Sequence, residues 1–203
     1  INQSTAVTCV KPSGTVSQLV DAASGIHARH NPYYVRTVRG DNKDPLTMFL
    51  KDKGVPSEPD FTAPDNVTVF SFPMKSPEGA ICRYDMGALE QLELWLKIAD
   101  NYCEHKPSVT ISVKENEWLE VGAWCWEHFD SLSGISFLPF SDHSYKQAPY
   151  QDIDKEEFKD LTEKMPPAID WYELQDYEKE DTTTGSQELA CAGGVCEIVD
   201  IGV

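Results

Sequence analysis

Two cysteines near the carboxyl end of the chain could carry redox chemistry. Cys191 and Cys196 stand five positions apart and flank Gly193-Gly194. The glycines let the backbone turn tightly enough to bring two sulfur atoms together. No helical or strand period runs through residues 187–203, so we expect this segment to be a mobile end. A dithiol on such a tether can carry electrons to a disulfide that bulk reductants cannot reach.

Other interpretations of this pair are two unrelated thiols or half of a zinc site. A zinc site generally needs four ligands, and no histidine lies within forty residues of the pair. The length of the terminal tether, which includes the flexible spacer at residues 182–186, favours redox exchange. About twenty-five flexible residues span roughly 25–30 Å, enough to enter a barrel mouth and swing out again. Three acidic neighbours, Glu188, Glu197 and Asp200, disfavour the thiolate. Its activation must therefore come from the site or partner that the tail visits.

A second candidate site lies near the amino end, where the chain reads Lys11-Pro12-Ser13-Gly14-Thr15-Val16-Ser17. The pattern predicts a buried strand over residues 5–10, a turn, and a helix over residues 16–23. The free N–H groups and the dipole at a helix start suit a phosphate, and Gly14 lets an anion approach the backbone. Three hydroxyl groups are further donors, from Ser13, Thr15 and Ser17. An ordinary capped helix start is the alternative interpretation.

Three side chains that follow Gly25 could face the same anion, namely His27, Arg29 and His30. We expect Arg29 to supply positive charge there, and a structural role for the trio is the alternative. Other reactive or aromatic side chains fit a hydrophobic core better because they fall on apolar faces: Cys103, Cys125, Tyr34, Trp95, Trp118 and Trp124.

The charge is distributed unevenly along the chain, whose formal net charge is −17. Residues 151–203 contain fifteen acidic residues and four lysines, whereas residues 1–53 contain seven Lys or Arg and four acidic residues. We therefore predict a solvated acidic tail and place an anionic ligand near the basic amino end. The acidic balance argues against a general nucleic-acid-binding surface.

The composition also indicates a cellular setting. Six cysteines without the composition of a disulfide scaffold favour a reducing cytoplasm. The sequence contains no signal peptide and no apolar stretch of transmembrane length, so we expect no membrane partner. The chain begins with Ile1 and enters a strand-like run at once, which we interpret as the carboxy-terminal fragment of a longer protein.

The elements that must position these residues alternate along the chain. Strand patterns at residues 67–72, 109–113 and 135–138 alternate with helical patterns that begin at Asp85 and cover residues 117–129. This order predicts parallel strands with right-handed crossovers, hence an α/β sheet or barrel. Further elements are predicted outside this series: a strand at 32–38, a helix capped by Asp44 and a polar helix at 154–165.

The turn and the terminal cysteines, together with the segments between them, resemble the ribonucleotide reductases. The similarity is greatest to the adenosylcobalamin-dependent (class II) ribonucleoside-triphosphate reductases, and it spans essentially the whole chain. The matching stretches are residues 10–17, 24–29, 32–36, 72–73, 77–80, 136–139 and 148–150, with the Cys-x-x-x-x-Cys pair. The resemblance implies an α/β fold, the carboxy-terminal part of a ten-stranded α/β barrel followed by a flexible acidic tail.

We accordingly divide the chain into three parts. Residues 1–150 are expected to form the barrel part with the phosphate turn, residues 151–186 an acidic helix and linker, and residues 187–203 the dithiol tail. The resemblance implies radical chemistry with adenosylcobalamin, in which a ribonucleoside triphosphate loses its 2′-hydroxyl while two thiols become a disulfide.

The resemblance also implies roles for individual residues. It assigns the substrate phosphates to Ser13, Gly14, Thr15 and Ser17, with Pro12 shaping the turn. It assigns Cys191 and Cys196 to reducing the active-site disulfide after each turnover and passing the oxidation to a thioredoxin-like protein.

One family feature is absent from this sequence. The radical-bearing cysteine of the family lies in an Asn-x-Cys-x-Glu stretch, which does not occur here. The site for deoxynucleotide effectors and most of the cobalamin-facing surface are also expected outside these residues, so the fragment should be inactive alone. Two alternatives remain, a diphosphate-reducing, iron- or manganese-dependent relative and a non-catalytic thiol–disulfide carrier.

Overall fold

A computed structural model of the chain describes residues 2–140 and 146–179. Cys191, Cys196 and the whole predicted dithiol tail lie outside the described residues. Their predicted role therefore stays a prediction throughout.

The described residues form two units that are discontinuous in sequence. Among the described residues, the first unit contains 2–38, 71–140 and 146–164, and the second contains 39–70 and 165–179. Long-range contacts within each unit define this division.

Helices and strands together give the mixed α/β content that the sequence predicts. The helices are α1 (Val16–Leu19), α2 (Pro45–Asp52), α3 (Ala88–Asn101), α4 (Trp118–Glu127) and α5 (Lys155–Lys164). The strands are β1 (Tyr33–Asp41), β2 (Ser57–Pro59), β3 (Val67–Lys75), β4 (Val109–Val113), β5 (Ile135–Pro139) and β6 (Tyr150–Asp152). Short 3₁₀ turns occupy Glu115–Glu117, Phe129–Ser131 and Trp171–Asp176.

The main core of the first unit is built on the parallel pair β4 and β5. Their register runs from Val109 opposite Ile135 to Val113 opposite Pro139, and α4 lies between them in sequence. This confirms the predicted parallel connection for that pair. Alternate residues of β4 point to one buried face, as the two-residue strand period requires. The buried cluster consists of Ile26, Ala88, Leu92, Trp95, Val109, Ile111, Val113, Val121 and Trp124.

The prediction that β3 continues this parallel series is wrong. In the second unit β3 pairs antiparallel with β2, with Ser57 opposite Phe70. Within the first unit the strand order is β3-β1-β6, and β1 pairs antiparallel with β6, with Tyr34 opposite Asp152. The order of elements along a chain does not fix which strands become neighbours, since long-range packing decides the pairing.

Two predicted elements near the amino end differ in the structure. Residues 5–10 do not form a strand but lie beside the segment after α3 through single backbone bonds, such as His105 N to Thr8 O at 3.1 Å. The predicted helix at 16–23 is a single turn, α1. Its apolar side chains Val16 and Leu19 are 62% and 85% exposed, so no buried face stabilises a longer helix.

The start of α3 and the inner face of α4 also need correction. Gly87 is the cap of α3, and Asp85 instead accepts a hydrogen bond from Cys82 N at 2.9 Å. On α4 Val121 and Trp124 pack inward, whereas Trp118, a predicted core residue, is 40% exposed. Trp95 and Tyr34 are buried as predicted.

In the second unit the helix predicted after Asp44 is confirmed as α2. The Asp44 carboxylate accepts from Leu46 N at 3.0 Å, and Pro45 occupies the first helical position, where its missing N–H has no partner to lose. Phe49 is fully buried and contacts the ring of Trp171, with 5.7 Å between ring centroids. Among residues 2–140 and 146–179, none of the helices has both the length and the apolar character needed to cross a membrane.

Candidate functional site

The predicted phosphate turn is held in place by a serine that the sequence did not single out. Ser24 Oγ accepts a hydrogen bond from Ser13 N at 2.8 Å and donates one to Ser13 O at 3.0 Å. Ser13 Oγ in turn accepts from Ser17 N at 3.1 Å. The turn therefore owes its shape to hydroxyl groups and not to a long helix.

Three consecutive N–H groups of the turn are unpaired. Within the described part of the chain, the backbone N–H groups of Gly14, Thr15 and Val16 have no hydrogen-bond partner, and all three residues are exposed. A Cβ placed on Gly14 would meet no atom within 4 Å, so the space in front of it is open. Because α1 is one turn long, its dipole adds little, and the free donors are what an anion would bind.

The five residues predicted to hold phosphate thus lie together but differ in exposure. Pro12, Gly14 and Thr15 are exposed, and Ser13 is partly buried. Ser17 is only 5% exposed, and its N–H is already engaged by Ser13. A ligand at the surface of the turn would meet Gly14 and Thr15 first.

His27 connects the turn region to strand β4. Its Nε2 accepts a hydrogen bond from Thr110 N at 3.0 Å, and its Nδ1 lies 2.8 Å from Ser24 O. Because a backbone amide can only donate, Nε2 carries no proton, and Nδ1–H donates to the carbonyl. His27 is therefore a neutral bridge and not a cation for phosphate.

Arg29 is buried and bound by the protein itself. Its guanidinium donates to Ala22 O at 2.7 Å and to Asp21 Oδ1 at 2.8 Å, and further to Tyr34 Oη and Ser76 Oγ. Arg29 is 5% exposed, so these contacts satisfy a charge that would otherwise be buried without a partner. The expectation that Arg29 offers free charge to an anion is not supported, since Asp21 balances it.

A cavity of about 320 Å³ opens beside the turn. Pro12 and Ser24 belong both to the turn region and to the lining, which also includes the rings of His30, Tyr34 and Tyr150. No carboxylate lines the cavity among the described residues, and its two arginines, Arg29 and Arg83, are paired with Asp21 and Asp152 respectively. The cavity thus suits a polar but uncharged group, whereas the turn suits an anion.

Arg83, which lines the cavity, forms a tight polar cluster with Tyr84 and Asp152. Asp152 Oδ2 accepts from Arg83 Nη2 and from Tyr84 Oη, both at 2.6 Å. Burial works to raise the pKa of Asp152, but these bonds and the nearby positive charges outweigh it and lower the pKa below its usual value. Burial and the bond to Asp152 raise the pKa of Tyr84 to about 12. Asp152 lies 69 positions from Arg83 and 68 from Tyr84, so no local sequence signal could have joined it to them.

His30 lies against this cluster as a neutral ring. Its Nε2 is 2.7 Å from Asp152 Oδ1 but outside hydrogen-bonding geometry. Burial, followed by the Arg83 charge, lowers the pKa of His30 to about 4, although Asp152 pulls it upward. The desolvation effect is the larger one because the ring is enclosed by Tyr34 and Tyr150, with centroids 5.7 and 5.1 Å away. His30 therefore carries no charge near neutral pH.

The cysteines of the described residues do not form a reactive pair. Cys82 is 4% exposed, and burial, with a contribution from Asp85, raises the pKa of its thiol. Burial also raises the pKa of Cys125. A raised thiol pKa disfavours the nucleophilic thiolate, so these two side chains fit packing roles. Cys191 and Cys196, the pair predicted to exchange disulfides, lie outside the described residues.

The chain is similar in sequence to adenosylcobalamin-dependent ribonucleoside-triphosphate reductases. It is 33% identical to the enzyme of Euglena gracilis over 167 residues, 81% of this chain and 23% of the relative. It is 31% identical over 198 residues to a probable enzyme of this kind from Dictyostelium discoideum, covering 95% of this chain and 25% of the relative. The chain thus spans about a quarter of the length of these relatives. No protein-family model matches it.

The structure is similar to a known crystal structure as well. It matches a B12-dependent (class II) ribonucleotide reductase with a TM-score of 0.68 and 26% sequence identity. The match covers 83% of this chain and 23% of the solved one. Sequence and structure therefore identify the same relatives and the same proportion of their length.

Proposed function

Because the chain is a homologue of the adenosylcobalamin-dependent ribonucleoside-triphosphate reductases, we propose that it is part of an enzyme that reduces ribonucleoside triphosphates to 2′-deoxyribonucleoside triphosphates. It would supply the carboxy-terminal part of a ten-stranded α/β barrel, whose remaining strands come from elsewhere in the protein. The observation that carries this proposal is the open row of N–H donors at residues 14–16, within a match that covers 95% of the chain.

The turn would bind the triphosphate. Gly14 and Thr15 offer backbone N–H groups and the Thr15 hydroxyl, and Ser13 fixes the turn from within through its bonds to Ser24 and Ser17. Pro12 restricts the backbone before the turn. Ser17 would act mainly through its bond to Ser13 Oγ. Several N–H donors that converge on one point are a recurrent solution for phosphate.

The nucleoside would lie in the adjoining cavity. Its size, about 320 Å³, is at the lower end of the range for small-molecule sites, and its wall provides rings for stacking and amide and hydroxyl groups such as Gln91 and Ser112. A corrinoid is far larger than this cavity. This cavity therefore would not hold adenosylcobalamin. We propose that the whole enzyme uses that cofactor, because its relatives are named adenosylcobalamin-dependent reductases.

The dithiol tail would restore the enzyme after each turnover. A thiolate of Cys191 or Cys196 would attack the active-site disulfide and form a mixed disulfide, releasing one active-site thiolate. The second tail thiol would then displace the other, so that two electrons pass to the active site and the tail becomes a disulfide. A thioredoxin-like protein would reduce the tail by the same exchange. These reactions are expected in a reducing cytoplasm, with deoxynucleotide effectors bound elsewhere in the enzyme.

An assay of the intact enzyme tests the proposed activity. We expect ribonucleoside triphosphate reduction that requires adenosylcobalamin and a dithiol. Activity with diphosphates and an iron or manganese centre would favour the metal-dependent relative. Absence of activity under both conditions, with thiol exchange preserved, would favour the non-catalytic carrier.

Replacing both tail cysteines tests the redox role separately. We expect Cys191→Ser with Cys196→Ser to abolish multiple turnover with thioredoxin, while a small dithiol that reaches the active site directly restores part of it. Cys103→Ser is the matched control, because Cys103 is a free, partly buried thiol that follows the end of α3. Unchanged thioredoxin-driven turnover in the double variant would remove the tail from the mechanism.

A further inference from the structure

We propose that Ser24 is a positioning residue for the triphosphate, so that affinity for the phosphate chain depends on a side chain that need not touch it. This inference rests on the proposed function, since it concerns the same turn. It comes from the hydrogen bonds around Ser13, which connect the turn to strand β4 through two intermediate residues.

The first link is the pair of bonds between Ser24 and Ser13. One hydroxyl group binds both the N–H and the carbonyl of Ser13, at 2.8 and 3.0 Å. These two bonds fix the peptide planes on both sides of Ser13. The orientation of the next peptide groups follows, and they carry the unpaired N–H groups of Gly14 and Thr15.

The second link holds Ser24 itself. The Ser24 carbonyl accepts from His27 Nδ1 at 2.8 Å and from His27 N at 3.1 Å. His27 Nε2 accepts from Thr110 N in β4, whose alternate residues Val109 and Ile111 are buried in the core. The turn is therefore connected to a buried strand of the first unit by hydrogen bonds through Ser24 and His27.

Gly25 permits this arrangement. Its φ of +62° lies in the left-handed region, and a Cβ there would be 2.8 Å from Lys11 O. Only glycine lets the two backbone segments approach so closely at that φ. The segment after the turn and the segment before it are thus in backbone contact, which leaves Ser24 little freedom to lose the bonds to Ser13.

The expected consequence is a specific loss of phosphate affinity. Donors bind an anion well only when they are held in the required orientation beforehand. Without the Ser24 hydroxyl, the N–H and carbonyl of Ser13 lose their partner, and the free donors at residues 14–15 would sample more orientations. The ribose and the thiols that react with it would be less affected.

The experiment uses the intact reductase and inorganic tripolyphosphate as a competitor of the ribonucleoside triphosphate. For Ser24→Ala we expect the KM for the triphosphate and the Ki of tripolyphosphate to rise together by roughly tenfold, the order expected for two net hydrogen bonds. We expect kcat to change by less than about threefold, as for an interaction that is already complete in the bound substrate.

Two further variants separate positioning from general damage to the fold. Ser24→Thr keeps the hydroxyl and should restore the Ki, whereas Ser57→Ala, at an exposed position in β2, should leave every parameter unchanged. Should Ser24→Ala fail to fold, Ser24→Cys replaces it, since a thiol has similar size but forms much weaker hydrogen bonds.

The outcomes are distinguishable. A wild-type enzyme that reduces triphosphates and binds tripolyphosphate, together with an unchanged Ki in the folded Ser24→Ala or Ser24→Cys variant, would overturn this inference alone. A wild-type enzyme that neither reduces triphosphates nor binds tripolyphosphate would overturn the proposed function and this inference with it.

Discussion

Asp60 in the second unit and Ser13 in the first unit each lie at the centre of a small polar cluster. The two clusters differ in whether they leave hydrogen-bond donors unpaired. Asp60 accepts bonds from Thr62 N and Oγ1, Ala63 N and Arg39 Nε, all between 2.6 and 3.1 Å. The Thr62 hydroxyl is the main cause that holds the pKa of this carboxyl well below its usual range, and burial opposes it only partly. Both carboxylate oxygens accept hydrogen bonds, and the residue is 5% exposed.

The Ser13 cluster is also built from hydrogen bonds, but the backbone N–H groups next to it in sequence have no partner in the described part of the chain. Its hydroxyl and backbone groups are satisfied by Ser24 and Ser17, whereas the next three N–H groups are exposed and unpaired within the described residues. The comparison teaches that polar residues alone do not mark a site. A cluster whose members satisfy one another stabilises a turn, and a cluster that orients unsatisfied groups toward solvent can bind a ligand.

The largest expected effect is on stability, when the Asp60 cluster is disrupted. Asp60→Ala removes four charge-assisted hydrogen bonds, from Thr62, Ala63 and Arg39, so we expect the free energy of unfolding to fall by about 3 kcal/mol. Denaturant unfolding measures this change. Asp60→Asn is the control, because it keeps the shape and one acceptor and should cost less.

Asp60→Ala also tests whether the Asp60 cluster, unlike the Ser13 cluster, has no part in phosphate binding. Tripolyphosphate affinity should stay within about twofold of wild type in Asp60→Ala, since Asp60 belongs to a saturated turn. A tenfold loss of that affinity would show that the two clusters are not functionally distinct.

His30 provides a second test, because it is buried and polar yet carries no charge. Its pKa of about 4 in the folded state lies below the unfolded value of 6.5, so the unfolded chain binds more protons between these values. Stability should therefore be complete above pH 6.5 and fall as the pH drops toward 4. Between pH 7 and pH 5 we expect His30 to account for about 2 kcal/mol of that loss, from 1.4 kcal/mol per pKa unit.

Comparison with His30→Asn isolates this contribution. Asn keeps a polar side chain but does not titrate, so the difference in unfolding free energy between pH 7 and pH 5 should shrink in the variant. An equal pH dependence in both proteins would mean that folding does not lower the pKa of His30. A smaller loss of stability in wild type than in His30→Asn would mean that His30 is charged and paired with Asp152.

The smallest expected effect is on phosphate affinity, when the turn at Gly14 is changed. Gly14→Asp places a carboxylate beside the free N–H groups without a steric clash, because no atom lies within 4 Å of the new Cβ. We expect the Ki of tripolyphosphate to rise by about tenfold at low salt and by less at 0.5 M salt, where charge repulsion is screened. The melting temperature should barely change.

Gly14→Ala is the matched control for that substitution. It adds the same Cβ without charge, and the affinity should remain within about threefold of wild type. Equal losses for Ala and Asp would indicate that phosphate does not approach the turn at this position.

Several parts of this protein could be predicted from local sequence. α2 follows from Asp44, Pro45 and the spacing of Phe49, and β4 from its alternating apolar residues. The position of the turn at residues 11–15 was also predictable, since Pro and Gly mark turns wherever they occur. The extent of α1 was not, because a helix is stabilised by the surface it buries and α1 buries almost none.

The amino-acid sequence by itself determined which residues can bend, cap, pack or donate hydrogen bonds, because those properties belong to each side chain and its immediate neighbours. Only the tertiary structure decided which of them meet. It placed Ser24 on Ser13, paired Arg29 with Asp21, and brought Arg83 to Asp152 across 69 positions of chain. The physical reason is that a hydrogen bond depends on distance and angle in space. Those are fixed by the packing of β4, α3 and α4, and not by spacing along the chain.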